Sequence, residues 1–177
     1  LALLLVATTA TLCGDLVDHF KKIDSQTGNH SMENIDFIYT INLDQRPQKF
    51  AQCKEQLDKY GIEPFRFSAV NGWELSLETI NDLGVKYSPN LEGGKMGTSY
   101  LPDGNFEPAH GVISENGRTY FAHCMSRGAI GIVLSHLSIL KHAYDSGFNR
   151  IWVMEDDIQI IKDPRILSKL ISKLDRC

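Results

Sequence analysis

Apolar and polar positions along the chain follow two different periods, and their order predicts an α/β fold. Residues 35–43 are mostly β-branched and aromatic, which predicts a buried strand. A helix is predicted next, beginning at the capping-type residue Asp44 and ending at Gly61, because its apolar residues recur every three or four positions. Alternating apolar and polar residues at 65–69 predict a second strand. Strand, helix and strand in this order are typical of a βαβ unit, which favours a parallel sheet with a right-handed crossover.

Beyond this unit, the pattern predicts three more helices and one more strand. A short helix over residues 77–83 ends at Gly84. Residues 130–144 carry apolar side chains every three or four positions, which predicts an amphipathic helix. The apolar run at 151–154 predicts a buried strand that leads directly into three acidic residues. A last helix is predicted from Asp163, with its apolar residues on one face.

Between these elements, residues 88–128 show no periodicity and hold much of the glycine and proline. The only strand that we expect there is at 119–122. A structureless stretch longer than about 12–15 residues is unusual in a compact domain and is often a lid or binding loop. A variable insertion is the alternative, and the sequence does not decide between them.

Length, composition and charge favour one globular domain. The chain has 177 residues, of which 42% are hydrophobic, and this is enough to bury a core without disulfides or metal ions. With 18 basic and 22 acidic side chains, its formal charge is −4. The longest basic run is the pair Lys21-Lys22, so the sequence lacks the clustered cations that bind nucleic acid. We therefore expect one domain over residues 35–177 and no nucleic-acid partner, with the oligomeric state left open.

The N-terminal segment allows two interpretations. Residues 1–12 are apolar and uncharged, but they are too few for a helix that spans a membrane, which needs about 20. They resemble the hydrophobic region of a secretory signal or anchor, although no initiator Met or basic residue precedes them. The alternative is an upstream extension, with Met32 as the true start. Residues 13–34 are polar and predict a linker.

The cysteines predict neither a disulfide framework nor a zinc site. No two of the four are close enough for a CxxC pair, and they stand at Cys13, Cys53, Cys124 and Cys177. Cys124 lies in the irregular stretch together with His110 and His123, but this spacing fits no zinc pattern. We therefore expect reduced cysteines and no metal ion there.

Three adjacent acidic residues, Glu155, Asp156 and Asp157, form the most informative chemical feature of the sequence. Their carboxylates repel one another at the edge of a sheet, so a cation would stabilise them there. If the strand continues, Glu155 and Asp157 point to one side and Asp156 to the other. Two oxygen donors at this spacing suit a hard divalent cation such as Mg²⁺ or Mn²⁺. The alternative is an acidic exit from the strand that binds no ligand.

Ser135 and His136 lie in the middle of the helix predicted at 130–144. Neighbouring residues on a helix do not face each other, so these two are not expected to form a nucleophile and its base. We expect them to support the site from behind rather than to react.

Four short blocks of the chain resemble glycosyltransferase family 25, of the lipopolysaccharide-biosynthesis and procollagen-galactosyltransferase type. They read INLDQRP, AVNG, GIVLSHL and VMEDD. In the family's order, they stand at residues 41–47, 69–72, 131–137 and 153–157. One departure is Ala129, which stands where the family often has an acidic residue.

The resemblance implies a GT-A-like α/β fold with a Rossmann-type, mostly parallel sheet flanked by helices. It implies a nucleotide-sugar donor, expected to be a UDP-sugar, and a divalent cation, Mn²⁺ or Mg²⁺. The reaction would be transfer of a hexose, with inversion, to a hydroxyl of a lipopolysaccharide-type glycan or of a protein. The cation would stabilise the leaving nucleoside diphosphate.

The same resemblance assigns roles to the acidic residues and to the end of the first strand. Asp157 is expected to be the main metal ligand and Glu155 the second, while Asp156, with Glu155, contacts the donor. Asp156 and Asp157 are thus the expected catalytic residues. The residues expected to line the nucleotide pocket are Asn42, Asp44 and Arg46. Of these, Arg46 would bind a phosphate in bidentate fashion.

The chain ends one helix after the acidic residues, so we expect it to be the donor-binding part of a longer enzyme, truncated at its C-terminus. The alternative is a degenerate module that binds a nucleotide sugar or a partner without catalysis. We expect a cytoplasmic protein in peripheral association with the inner face of a membrane. A secretory location is the alternative if residues 1–12 are a signal or an anchor.

Overall fold

The structure is a computed structural model that describes residues 16–23, 27–104 and 107–175. In chain order its elements are a 3-10 turn (Leu16–His19), β1 (Phe37–Asn42), α1 (Pro47–Asp58), β2 (Phe65–Ser68), α2 (Leu77–Leu83), β3 (Val85–Lys86), β4 (Met96–Tyr100), β5 (Pro108–Val112), β6 (Thr119–Ala122), α3 (Arg127–Asp145), β7 (Ile151–Glu155) and α4 (Ile166–Leu174). Residues 1–12 lie outside the described residues, so both interpretations of that segment stay predictions. Within the described ranges, no helix has the length and apolar character needed to cross a membrane.

These residues form two compact units. The first, called the α/β unit here, comprises the described residues of Phe20–Leu75 and Ser126–Cys177. The second, the antiparallel unit, comprises those of Leu1–His19 and Ser76–Met125.

β1 is the middle strand of a three-stranded parallel sheet with the order β2-β1-β7 in the α/β unit. All six of its residues are buried, which explains its nearly continuous apolar run. Tyr39 is aligned with Phe65 of β2 on one side and with Val153 of β7 on the other. The predicted α/β class and the parallel βαβ unit are therefore confirmed.

Each face of this sheet carries a hydrophobic cluster, because alternate residues of β1 point to opposite sides. On one face, Ile38 belongs to a cluster with Leu57 of α1. On the other, Tyr39 belongs to a cluster with Phe67 of β2 and Ile139 of α3. These clusters hold α1 and α3 against the sheet.

α1 begins later than its capping-type residue suggests. Arg46 occupies the N-cap position without a side-chain capping bond, and Pro47 is the first helical residue. The Asp44 carboxylate instead accepts hydrogen bonds from two side chains of β2. The other end of the helix matches the prediction, because Gly61 has a φ of 67° and allows the chain to turn away.

Residues 27–34, predicted as part of a linker, pack onto the α/β unit. His30 is 7% exposed, and its ring nitrogens lie 3.0 Å from the carbonyl oxygen of Glu63 and 2.9 Å from that of Thr27. The backbone nitrogen of Ile38 also donates to the carbonyl oxygen of His30. Polar composition does not predict this packing, because it depends on contacts such as that with Glu63, which is 33 positions away.

The antiparallel unit corrects the prediction of an irregular stretch at 88–128. Its sheet has the order β3-β6-β4-β5, with antiparallel pairing throughout. α2 and the strand at 119–122 are confirmed. β4 and β5 are not apparent in the sequence because Gly97 and Gly111 interrupt the alternation of apolar side chains.

β7 and α4 are less buried than their sequences suggest. Only Met154 of the five β7 residues is buried, since no other described strand pairs with the outer side of β7. α4 begins at Ile166 rather than at Asp163. Its residue Ile171 packs against the cluster around Ile38, whereas Leu174 is 73% exposed.

Two glycines allow the loop at 69–72 to lie directly against α3. A Cβ atom at Gly131 would lie 2.5 Å from the carbonyl oxygen of Val70 and 2.6 Å from the nitrogen of Gly72. A Cβ atom at Gly72 would collide with the carbonyl oxygen of Arg127. Only residues without side chains permit two backbones to approach this closely. This contact fixes the chain after β2 against the first turns of α3.

We predict that Gly131→Ala lowers the free energy of unfolding by about 2–3 kcal/mol, because the new methyl group meets backbone atoms that cannot rotate away. Gly128→Ala in the same helix is the matched control, since its Cβ would meet nothing closer than 3.8 Å. Alanine favours a helix over glycine by up to about 1 kcal/mol, so the control should be neutral or slightly stabilised. Urea unfolding of both variants measures the difference, and equal losses would contradict the close approach.

A second prediction concerns His142 of α3, whose Nδ1 lies 2.7 Å from the hydroxyl oxygen of Tyr39. Burial lowers the pKa of His142, and the charge of Asp145 only partly opposes this. The folded protein therefore binds fewer protons than the unfolded chain between the lowered pKa and about 6.5. This contribution to stability is complete above about pH 6.5 and is lost as the pH falls through the folded-state pKa.

His142→Gln should reduce the loss of unfolding free energy between about pH 7.5 and about pH 5. Urea unfolding at a series of pH values, in the presence of a metal chelator, provides the measurement, with the exposed His123→Gln as control. If the unfolding free energy of His142→Gln depends on pH as steeply as that of the control, His142 does not contribute to the pH dependence of stability.

Candidate active site

A cavity of about 180 Å³ lies where the three parallel strands of the α/β unit end and α3 begins. Its apolar wall consists of side chains from β1, the loop after β2 and α3, and includes Ile41, Leu43, Ala69, Val70, Trp73 and Ile132. Its polar side chains come from the start of α1, the loop after β2, α3 and the end of β7, namely Arg46, Asn71, Ser135, His136, Glu155 and Asp156. Ligands of open parallel sheets bind at this end of the strands.

Asp156 is the buried acid of the cavity, with 8% exposure. Its Oδ2 accepts a hydrogen bond of 2.6 Å from the Nδ2 of Asn42, which is 1% exposed. The same Nδ2 donates to the carbonyl oxygen of Arg46 at 2.9 Å. Asn42 thereby joins the end of β1 to the end of β7 and to the start of α1.

The other side of Asn42 is held by Arg66 of β2. Its Nε donates to the Oδ1 of Asn42 at 2.8 Å, and its Nη2 donates to the Oδ1 of Asp44 at 2.7 Å. The Ser68 hydroxyl donates to the other oxygen of Asp44, also at 2.7 Å. These bonds, first from Ser68 and then from Arg66, hold the pKa of Asp44 below its ordinary value. Asp44 is therefore anionic at neutral pH and fixes the Arg66 side chain.

Exposure alternates along the three acidic residues, since Asp156 is buried while Glu155 and Asp157 are exposed. Glu155 lies on the cavity wall, where its Oε1 is 3.7 Å from the Nε2 of His136. Glu155 and Asp157 are thus the carboxylates that solvent and a cation can reach.

Ser135 and His136 differ in their surroundings. Ser135 is fully buried, and its hydroxyl donates to the carbonyl oxygen of Gly131 and accepts from the backbone nitrogen of Val70, both at 2.8 Å. Ser135 lines the cavity, and its hydroxyl is engaged by these two backbone atoms, so it supports the cavity wall. The side chain of His136 is 43% exposed and lines the same cavity, so neither residue lies behind it.

Arg127 is a structural residue of this site that the sequence reasoning missed. It is 6% exposed, its Nε donates to the carbonyl oxygen of Gly72 at 3.1 Å, and its Nη2 donates to that of Leu75. Its guanidinium also lies 5.9 Å from the centre of the Trp73 ring. The sequence does indicate the position of Arg127, because Ser126 is a residue that favours a helix N-cap. Its hydroxyl caps α3, so Arg127 is the first residue of that helix.

The structure brings together only part of the predicted site. Of the six residues expected to bind donor or metal, the three on the cavity wall are Arg46, Glu155 and Asp156. Asn42 lies behind Asp156 and contacts it, whereas Asp44 and Asp157 are exposed and are not among the cavity-lining residues described. The roles assigned to all six stay predictions.

Comparison with known proteins identifies the family. The model of glycosyltransferase family 25, described as lipopolysaccharide biosynthesis protein, matches residues 35–176. A "Glycosyltransferase 25 family member" of Drosophila melanogaster is 28% identical over 144 residues, which are 81% of this chain and 19% of that protein. The mouse "Inactive glycosyltransferase 25 family member 3" is 26% identical over 129 residues, 73% of this chain and 18% of that protein.

The mouse "Procollagen galactosyltransferase 2" is 30% identical over 96 residues, 54% of this chain and 15% of that protein. The chain thus spans less than a fifth of the length of these curated relatives. No solved structure matches it. Because the family model covers most of the chain, including the cavity and its acidic residues, the chain belongs to glycosyltransferase family 25.

Proposed function

We propose that the α/β unit binds a nucleotide-sugar donor, with a divalent cation, at this cavity and acts in transfer of the sugar to a hydroxyl of a glycan or a protein. The observation that carries the proposal is the buried Asp156, oriented by Asn42 beside the accessible Glu155 at the ends of three parallel strands. In a glycosyltransferase family, this arrangement suits a GT-A-like donor site.

Glu155 and Asp157 are the residues that would hold the cation. Both carboxylates are exposed and stand two positions apart, so hard oxygen donors are available on either side of Asp156. Such donors fit Mn²⁺ or Mg²⁺ and suit soft metals poorly. When bound, the cation would supply Lewis-acid stabilisation of the leaving diphosphate.

Arg46 is the cavity residue best suited to a phosphate. Its guanidinium is exposed on the wall, and no side-chain hydrogen bond or ion pair of Arg46 is found among the described residues. Its backbone is held in place, because the carbonyl oxygen accepts from Asn42. A guanidinium presents two parallel donors to a phosphate, so Arg46 would anchor the diphosphate next to the acidic residues.

Trp73 supplies an aromatic surface on the same cavity. The ring is 66% exposed, and the buried Arg127 behind it restricts its position. An exposed aromatic ring of this kind can stack on a sugar or a base. The cavity of about 180 Å³ is smaller than the roughly 300–1,000 Å³ of typical ligand pockets, so it would enclose only part of a nucleotide sugar.

The names of relatives support the substrate classes without deciding between them. The family is described by lipopolysaccharide biosynthesis, and one mouse relative is named a procollagen galactosyltransferase. A UDP-hexose donor and either a glycan or a protein acceptor are therefore proposed, with inversion at the anomeric carbon. Peripheral association with a membrane, in the cytoplasm or in the secretory pathway, belongs to the same proposal.

A non-catalytic binding module is the second candidate. Relatives from mouse, human and rat are named inactive or probably inactive, and their identity of 26–27% is similar to that of the Drosophila melanogaster relative. Ala129 supports this candidate, because it places no acidic side chain in the first turn of α3.

The donor site can be tested by thermal unfolding with Mn²⁺ and UDP-glucose or UDP-galactose. A donor at about one hundred times its Kd should raise the Tm by about 5–10 °C. Asp157→Asn should abolish this shift, because it removes one of the two carboxylates for the cation. Asp58→Asn is the matched control, since Asp58 is an exposed acid at the end of α1.

Absence of a shift in the wild-type chain at saturating donor and cation would contradict donor binding. Release of UDP or transfer of the sugar, measured on the same protein, separates the two candidates. A shift without turnover with glycan and protein acceptors would favour the non-catalytic module.

Asn42 acts in this proposal as a positioning residue for Asp156. Its amide is buried, and every polar atom of it is engaged, by Asp156, Arg46 and Arg66. Removing the amide would leave a buried carboxylate without this donor and Arg66 without its acceptor. Unsatisfied buried groups of this kind cost about 1–3 kcal/mol each.

Asn42→Ala should therefore lower the free energy of unfolding by about 2–4 kcal/mol. It should also weaken binding of Mn²⁺ and UDP to the folded variant about tenfold or more, which calorimetry at low temperature measures. Substitution of the exposed Asn149 by alanine is the control, and it should change neither the free energy of unfolding nor the affinity for Mn²⁺ and UDP by much. A destabilised variant with unchanged affinity would show that Asn42 serves folding alone.

A further inference from the structure

A cluster of two histidines and one cysteine lies in the antiparallel unit. Each of His110, His123 and Cys124 offers a ligand atom, and these atoms all lie within 4.8 Å of one another. We propose that the three side chains bind a zinc-class transition-metal ion, with a fourth coordination position open to water or another ligand. The sequence predicts no metal site here, since the spacing of the three residues fits no zinc pattern.

Strand pairing explains how these residues meet. His110 lies on β5 opposite Thr98 of β4, and Thr98 is also opposite Phe121 of β6. His123 and Cys124 follow directly after β6. The ligands therefore come from β5 and from the residues directly after β6, two strands that pair with opposite sides of β4, and no local sequence motif shows this.

The ring of His110 is held in a defined orientation. Its Nδ1 lies 3.0 Å from the hydroxyl oxygen of Thr98, which is fully buried. In the tautomer in which Nδ1–H donates to this hydroxyl, the lone pair of Nε2 is free for a metal ion. Metal-ligating histidines usually make such a bond through their other nitrogen. The ring of His123 stands edge-on to that of His110, with centroids 5.5 Å apart.

Cys124 adopts a backbone conformation that side-chain-bearing residues rarely use. Its φ is 63°, and its thiol is free and exposed beside the two imidazoles. Strain of this kind persists where the surrounding structure requires it, and it is common at binding sites. Here the left-handed turn brings the thiol to the side of the histidines.

The donor set determines the class of metal. One thiolate and two imidazoles prefer Zn²⁺ and similar borderline ions over Mg²⁺ or Ca²⁺. In a tetrahedral zinc site, with bonds of about 2.0–2.3 Å, ligand atoms are about 3.3–3.6 Å apart. Because the ligand atoms lie within 4.8 Å of one another, the ion would draw them together by no more than about 1.5 Å. All three side chains are exposed, so small rotations can achieve this.

The experiment uses Co²⁺ alone, because it replaces Zn²⁺ and reports thiolate ligation by a charge-transfer band in the near ultraviolet. Titration of the reduced 177-residue chain should produce this band at one Co²⁺ per chain, and Zn²⁺, but not excess Mg²⁺, should remove it. Cys124→Ser should abolish the band. His110→Gln and His123→Gln should each weaken Co²⁺ binding about tenfold or more.

Two variants test the finer points of the proposal. Thr98→Val, which keeps the shape of the side chain, should weaken Co²⁺ binding about tenfold if the hydroxyl orients His110. Asp157→Asn should leave the band unchanged, so failure of this site and failure of the donor site are distinguishable. Circular dichroism confirms that each variant is folded.

Absence of a charge-transfer band in the folded wild-type chain would overturn the proposal. Retention of the band in Cys124→Ser would also overturn it, because another cysteine would then be the ligand. Unchanged affinity in both histidine variants would reduce the site to a lone thiol and contradict the three-residue assignment.

Discussion

The hydrogen bond between Asn42 and Asp156 joins two strand ends, and the candidate site depends on it. An unpaired carboxylate is costly to bury, so Asp156 can remain at 8% exposure only where donors reach it. Arg66 donates to the oxygen of the Asn42 amide, so the nitrogen of the amide faces the acid. Parallel pairing of β1 and β7 brings together Asn42 and Asp156, which are 114 positions apart. The hydrogen bond between them fixes the acidic end of β7 as part of the cavity wall.

The second constraint is the contact between the loop at 69–72 and α3. Gly72 and Gly131 place two backbones against each other, and the buried Ser135 hydroxyl then reaches the nitrogen of Val70. Two of the four blocks that resemble the family therefore contribute close packing more than chemistry. These two blocks, residues 69–72 and 131–137, position the part of the cavity wall that faces Glu155.

The sequence predicts the elements of the α/β unit well, because each has a strong local period. β1, α1, β2 and α3 follow from apolar spacing, and their parallel arrangement follows from the βαβ order. The antiparallel sheet is not predictable in this way, since β4 and β5 contain glycine and lack a clear alternation of their own, and pairing with other strands stabilises them.

The residues of the candidate site also include some that the sequence predicts and some that it does not. Glu155, Asp156 and Arg46 are predictable because acids and a cation follow strands whose ends must meet. Arg66 is not, because an arginine that alternates with phenylalanines on a strand suggests only a solvent-facing side chain. Its contacts with Asn42 and Asp44 arise from the register between β1 and β2.

The buried Arg127 has a consequence for how the chain is assembled. Residues 76–125 leave the α/β unit after Leu75 and return at Ser126, and the Arg127 guanidinium binds the carbonyl oxygens of Gly72 and Leu75. One side chain therefore links the two positions at which this 50-residue segment leaves and rejoins the α/β unit. Loop-closure entropy grows only with the logarithm of length, by about 0.6 kcal/mol for each doubling. Because Arg127 holds both ends of the segment 76–125, the segment can change in length or sequence at little cost to the stability of the parallel sheet.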